Sequence, residues 1–106
     1  MHIGAMTPVL DRDHFAYMTG HDAVLQREIL GLFRGQIDGW EAVFAAGGDW
    51  RTAVHTLKGS ARGIGLMRLA AACEAAENAP HEGLAGVRAA LNEALAELEQ
   101  FAADAA

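Results

Sequence analysis

One cysteine, two prolines and a single lysine occur among the 106 residues. A lone thiol excludes an internal disulfide, and Cys73 falls in an alanine- and leucine-rich stretch where a small buried thiol is the expected reading. Proline is scarce, no run of alternating β-branched residues is visible, and alanine and leucine dominate, so an all-α fold is expected. No apolar run reaches the roughly 20 residues of a membrane span. Residues 1–8 lack the charged start and long apolar core of an export signal, so a cytoplasmic location is expected. The length allows one domain with a modest core and is too short for a kinase or an enzyme carrying its own cofactor domain.

Acidic residues are also missing where they would be informative. Residues 50–73 contain Arg51, Lys58, Arg62 and Arg68 but no Asp or Glu, whereas the rest of the chain sets four arginines against all fourteen acids. A basic segment within a chain of net charge −6 predicts one docking surface for an anionic group. It does not predict a nucleic-acid binder, which would be basic overall or along a whole face.

Apolar spacing places the helices. A short helix is expected over residues 11–18, with Phe15 and Met18 facing inward and Thr19-Gly20 ending it. Leu25, Ile29, Leu32, Phe33, Ile37, Trp40 and Phe44 describe a long helix from about residue 22 to residue 46, in which Gly35 and Gly39 are candidates for close helix packing. Gly47-Gly48 is a stop, and Asp49 suits the N-cap of the next helix. That helix carries Trp50, Ala53, Val54, Leu57, Ala61 and Ile64 as its apolar stripe, and Gly63 and Gly65 mark a break after it. Leu66, Leu69, Ala70, Cys73 and Ala76 resume the helical period, Asn78-Ala79-Pro80 turns the chain, and Leu84 through Phe101 supply a final stripe. The expected architecture is an antiparallel up-down-up-down four-helix bundle with a short additional N-terminal helix, residues 1–106 forming one domain. Residues 1–7 are expected to be flexible and 102–106 to fray.

The segment His55-Thr56-Leu57-Lys58-Gly59-Ser60 carries the chemistry. On a helix Leu57 points about 160° away from His55, so burying the stripe exposes the imidazole. Lys58, Gly59 and Arg62 lie within about 60° of His55, and Arg51 lies one turn before it. Glycine inside a helix costs roughly 1 kcal/mol and asks for a reason. No acid lies within six residues of His55 in sequence except Asp49, so no sequence neighbour would repel an anionic group from that surface. Ser60 is read as packing at the core edge or bonding the preceding turn, and Trp40, Phe44 and Trp50 as core. His2, His14, His21 and His81 show no metal-ligand spacing with one another or with Cys73, so no metal site is assigned.

His55-Thr-Leu-Lys58-Gly59-Ser60-Ala61, with Gly65-Leu66 after it and Gly48-Asp49-Trp50 before it, resembles a histidine-containing phosphotransfer (HPt) domain of bacterial phosphorelays. The resemblance implies that His55 is the phosphoacceptor, that Lys58 lies near the phosphate, and that Gly59 keeps the imidazole accessible. Val54 and Arg62 depart from it, standing where alanine and a small residue are commoner. It further implies receiver domains of a hybrid histidine kinase and of a response regulator as partners, with Mg2+ supplied by the receiver and no intrinsic cofactor. Arg51 and Arg62 are candidates for partner docking. A monomer without autonomous catalytic activity, nucleic-acid binding or membrane binding is expected. Two other readings stand beside it: a phosphoacceptor domain of a larger chemotaxis-type histidine kinase, and a helical interaction module that is not phosphorylated.

Overall fold

A computed structural model describes residues 7–46, 48–79 and 83–105, and within them five helices account for almost all of the regular structure. These are α1 (Arg12–Met18), α2 (Ala23–Ala46), α3 (Trp50–Ile64), α4 (Met67–Glu77) and α5 (Leu84–Ala105). Helix α2 packs on α3, α3 on α4, α4 on α5 and α5 back on α2, so the four long helices close around one core. The core includes Phe33, Phe44, Val54, Leu57, Leu69, Cys73, Leu91 and Leu98. Among the described residues, no helix is long and apolar enough to cross a membrane.

Side-chain caps explain where the helices begin. Asp11 accepts the amide of His14 at the start of α1, Asp22 accepts those of Val24 and Leu25 before α2, and Asp49 accepts that of Thr52 before α3. Helix α3 ends at Gly65, whose φ of 97° is left-handed. There the amides of Gly65 and Leu66 both donate to the Ala61 carbonyl, closing the last turn. A Cβ at position 65 would also lie 3.0 Å from the His14 ring and 3.3 Å from the Asp11 carbonyl oxygen. Gly63 is not part of the break, because α3 continues through it to Ile64.

Short α1 is pinned against the bundle at its N-terminal end and along its buried side. The Asp11 amide donates to the Gly65 carbonyl, Phe15 meets Phe101 edge-on at 5.1 Å, and Arg12 binds Glu97 and Asp104. Asp104 also accepts from Gln100, and α5 extends to Ala105. Residues 1–6, 47, 80–82 and 106 lie outside the described residues; Thr7 is described, and its carbonyl accepts from Arg68.

Three inward assignments are corrected. Met18, Leu25 and Leu32 are exposed, Leu32 by 68%. The buried stripe of α2 is Gln26, Leu30, Phe33, Ile37 and Phe44, and Leu25 and Leu32 lie about 110° to 130° around the helix from its centre. Gln26 is tolerated there because its amide donates to Thr19 Oγ1. Nor do Gly35 and Gly39 serve close packing, since a Cβ at either would meet nothing within 4 Å.

Candidate functional site

Trp50, Val54, Leu57 and Ala61 bury one side of α3 and thereby fix which side faces out. Turning the helix to bury position 55 would expose side chains of the Val54 and Leu57 kind, each costing about 1.5–3 kcal/mol. His55 therefore stands on the surface with its side chain 73% exposed.

The two flanks of the imidazole differ. On one, α4 delivers Glu77, whose Oε1 lies 3.1 Å from His55 Nδ1. The same carboxylate takes the ammonium of Lys58, with Nζ 2.9 Å from Oε1 and 3.0 Å from Oε2. Lys58 is largely buried along its stem and reaches its partner at the edge of the core. Its hydrogen bond, followed by that from His55, holds the Glu77 carboxyl below its ordinary value despite the opposing effect of desolvation. An ionised carboxylate can only accept, so in the neutral imidazole Nδ1 carries the proton and Nε2 keeps the free electron pair.

The other flank is open. A Cβ added at Gly59 would meet nothing within 4 Å, and the same holds at Gly63 one turn on. Beyond them a groove of about 300 Å³ runs between α2 and α3, lined by Leu32, Phe33, Ser60 and Gly63 among others. Ser60 thus faces this groove and is exposed, rather than packing at the core edge.

Charge is arranged differently from what the linear sequence suggests. Glu77 meets Lys58 and His55, Glu74 lies 3.7 Å from Arg62, and Glu93 pairs with Arg68. Acids from α4 and α5 thus interleave with the cations of residues 50–73, and the expected uncompensated basic patch is absent among the described residues. Arg51 stacks over the Trp50 ring at 4.3 Å and donates to the carbonyls of Glu77 and Ala79. Glu77 is the site residue that sequence inspection missed. Arg51, Thr52, His55 and Glu77 together line a surface hollow of about 310 Å³.

Cys73 is buried between these elements, and desolvation pushes its thiol up to about 12, which suppresses the reactive thiolate. His14 is occupied structurally, its Nε2 lying 3.0 Å from the Gly63 carbonyl oxygen. No group of three or more His, Cys, Asp or Glu able to hold a metal occurs among the described residues.

The Hpt domain family model matches residues 28–101, from the first third of α2 to the last turns of α5. The chain belongs to the Hpt family. No curated protein and no solved structure matches it. Hpt domains are histidine phosphotransfer carriers of phosphorelays, working with receiver domains, and are not themselves catalytic domains. In this Hpt domain α1 lies outside the matched region.

Proposed function

We propose that this Hpt domain is a phosphorelay intermediate in which His55 takes a phosphoryl group from a receiver-domain aspartate and passes it to another receiver. The observation that carries this is the asymmetry around His55, with Nδ1 engaged by Glu77 and Nε2 left free on an exposed ring beside the open Gly59. In the forward step Nε2 attacks phosphorus in line, the N–P bond forms, the P–O bond of the acyl phosphate breaks, and the aspartate leaves as carboxylate. The Nδ1 proton stays in place, and the positive charge that the ring acquires is met by the Glu77 carboxylate. Return to a second receiver reverses the same bonds.

Lys58 is the phosphate neighbour in this scheme. Held on Glu77 before transfer, its ammonium turns toward the phosphoryl oxygens as they arrive, and Glu77 keeps its bond to Nδ1. Gly59 provides clearance on the approach flank. Arg62, exposed and only loosely matched with Glu74, is available to an acidic partner surface, whereas Arg51 is already engaged by the Trp50 ring and the carbonyls of Glu77 and Ala79. Magnesium is assigned to the receiver, and the Hpt domain acts as a monomeric cytoplasmic carrier with an up-down-up-down helix order.

The test is incubation with phosphorylated receiver domains and, separately, with an ATP-charged histidine kinase. Acid-labile, base-stable label from the receiver on the parent protein, absent in His55→Gln, is expected. Label retained by the folded His55→Gln variant overturns His55 as acceptor. Label arriving from the kinase but from no receiver replaces the relay reading with that of a kinase phosphoacceptor domain.

A further inference from the structure

Resting on the reading of His55 as acceptor, we propose that Arg51 is a positioning residue: it ties the end of α4 to α3 and so holds the Glu77 carboxylate on His55 Nδ1. Arg51 precedes His55 by one turn on the same helix face. Its guanidinium is fixed from below by the buried Trp50 ring at 4.3 Å and from the side by two main-chain oxygens, with Nη2 3.1 Å from Ala79 O and Nε 3.5 Å from Glu77 O. The second bond is long, so the Ala79 contact and the stacking carry most of the hold.

The Glu77 carbonyl is of the kind that a helix leaves without an intrahelical partner at its C-terminal end, and Ala79 lies just beyond that end. Helix α4 has no basic residue of its own in its last turn, so Arg51 supplies from α3 the positive charge that favours such an end. Glu77 is the final residue of α4 and is held twice, by its side chain on His55 and Lys58 and by its main chain on Arg51. The other hydrogen bonds at this terminus are local, from Asn78 to the carbonyls of Glu74 and Ala75 and from the Ala79 amide to that of Ala76, and the exposed Arg62–Glu74 pair one turn earlier is loose at 3.7 Å. Removing Arg51 therefore loosens the one residue that selects the Nδ1–H tautomer, while every α3 side chain around His55 stays in place. A planar guanidinium can stack and reach two carbonyls together, which an ammonium cannot.

Positioning and docking give different results in a double-mutant cycle. Arg51→Ala and Arg51→Lys are prepared alone and with Glu77→Ala, and each protein is followed by melting, by the imidazole 15N shifts of His55 at pH 8, and by single-turnover transfer from a phosphorylated receiver. Misplacement of an orienting group is expected to slow transfer about five- to tenfold in Arg51→Ala. The Nδ1–H share of His55 should fall in the same variant, and Arg51→Lys should recover less than half of either loss. With Glu77 already removed, Arg51→Ala should slow transfer by less than about twofold further, because nothing remains for it to position.

An unchanged His55 tautomer in Arg51→Ala, or the full additional loss in the Glu77→Ala background, overturns the proposal, the second result making Arg51 a docking residue instead. Should Arg51→Ala melt before measurement, Arg51→Lys, with its stem still over Trp50, carries the same comparison. The tautomer measurement requires no phosphate, so it stands or falls separately from the assignment of His55 as phosphoacceptor, which His55→Gln tests.

Discussion

Replacing Gly59 separates folding from access, because the structure gives the two effects opposite signs. The position is mid-helix, five residues from the end of α3, and a Cβ there meets nothing within 4 Å. Alanine should therefore recover the helix propensity that glycine forfeits, about 1 kcal/mol. With an unfolding entropy of roughly 2.1 cal/mol/K per residue, a chain of this length should gain about 4 °C in Tm. Glutamine, nearly as good a helix former, should gain a little less. Its side chain, however, leans toward the N-terminal turn that carries His55 and fills the open flank. Transfer from a receiver should stay within about twofold for Gly59→Ala and drop at least tenfold for Gly59→Gln, a docking penalty of about 1.4 kcal/mol or more. Gly31→Ala is the control, equally open but on the side of α2 about 140° from the groove residue Gln36, and it should raise Tm without touching transfer. A Gly59→Gln protein that melts higher and transfers at the parent rate refutes the access role, and a Gly59→Ala protein that melts lower refutes the open geometry itself.

Lys58→Ala should remain folded but accept phosphate more slowly and lose it sooner, since one charge-assisted contact disappears and the nucleophile remains; unchanged transfer and phosphoform lifetime would return Lys58 to a purely structural pairing with Glu77. Glu77 yields a pH prediction: its folded value lies below the ordinary 4.5, so its stabilising contribution is complete above about pH 4.5 and is lost as pH falls through the lower folded value. The melting difference between parent and Glu77→Gln should accordingly be present at pH 7 and shrink on acidification below pH 4.5, and a constant difference from pH 7 to pH 3 contradicts the ion pair. Cys73, buried with its thiol pushed up to about 12, should react with a disulfide reagent at pH 8 more slowly than free cysteine by about a hundredfold or more; rapid labelling of the folded protein would show that the core at α4 opens readily.

How far the site is legible in the sequence depends on the range of each interaction. The outward direction of His55 follows from Trp50, Val54, Leu57 and Ala61 alone, because helical geometry fixes angles between residues a few positions apart. The start of α3 at Asp49 and the opening at Gly59 are local in the same sense. Apolar character fails as a guide at Leu25 and Leu32, since the period locates a stripe but not its edges, and a leucine beside the α2–α3 groove counts as readily as one beneath it. Glu77 is hidden for a different reason: it stands 22 residues from His55, and the level at which α4 passes α3 determines what it meets.

Yet that level is constrained. Arg51 reaches the carbonyls of residues 77 and 79, Lys58 meets the side chain of 77, and Arg62 lies near 74, so partners on α4 descend as positions on α3 ascend. Such a run requires a reversal near its midpoint, which Gly65 supplies with its left-handed turn. His55 lies ten residues before that glycine and Glu77 twelve after it, so a tight hairpin brings them nearly level. The acid-free α3 is thus one arm of a charge-matched hairpin whose other arm supplies Glu74 and Glu77, while Arg68 on α4 pairs instead with Glu93 of α5. The free electron pair on Nε2 depends on that match. The cations around His55 do not by themselves choose a nitrogen; the Glu77 carboxylate folded back onto Nδ1 does.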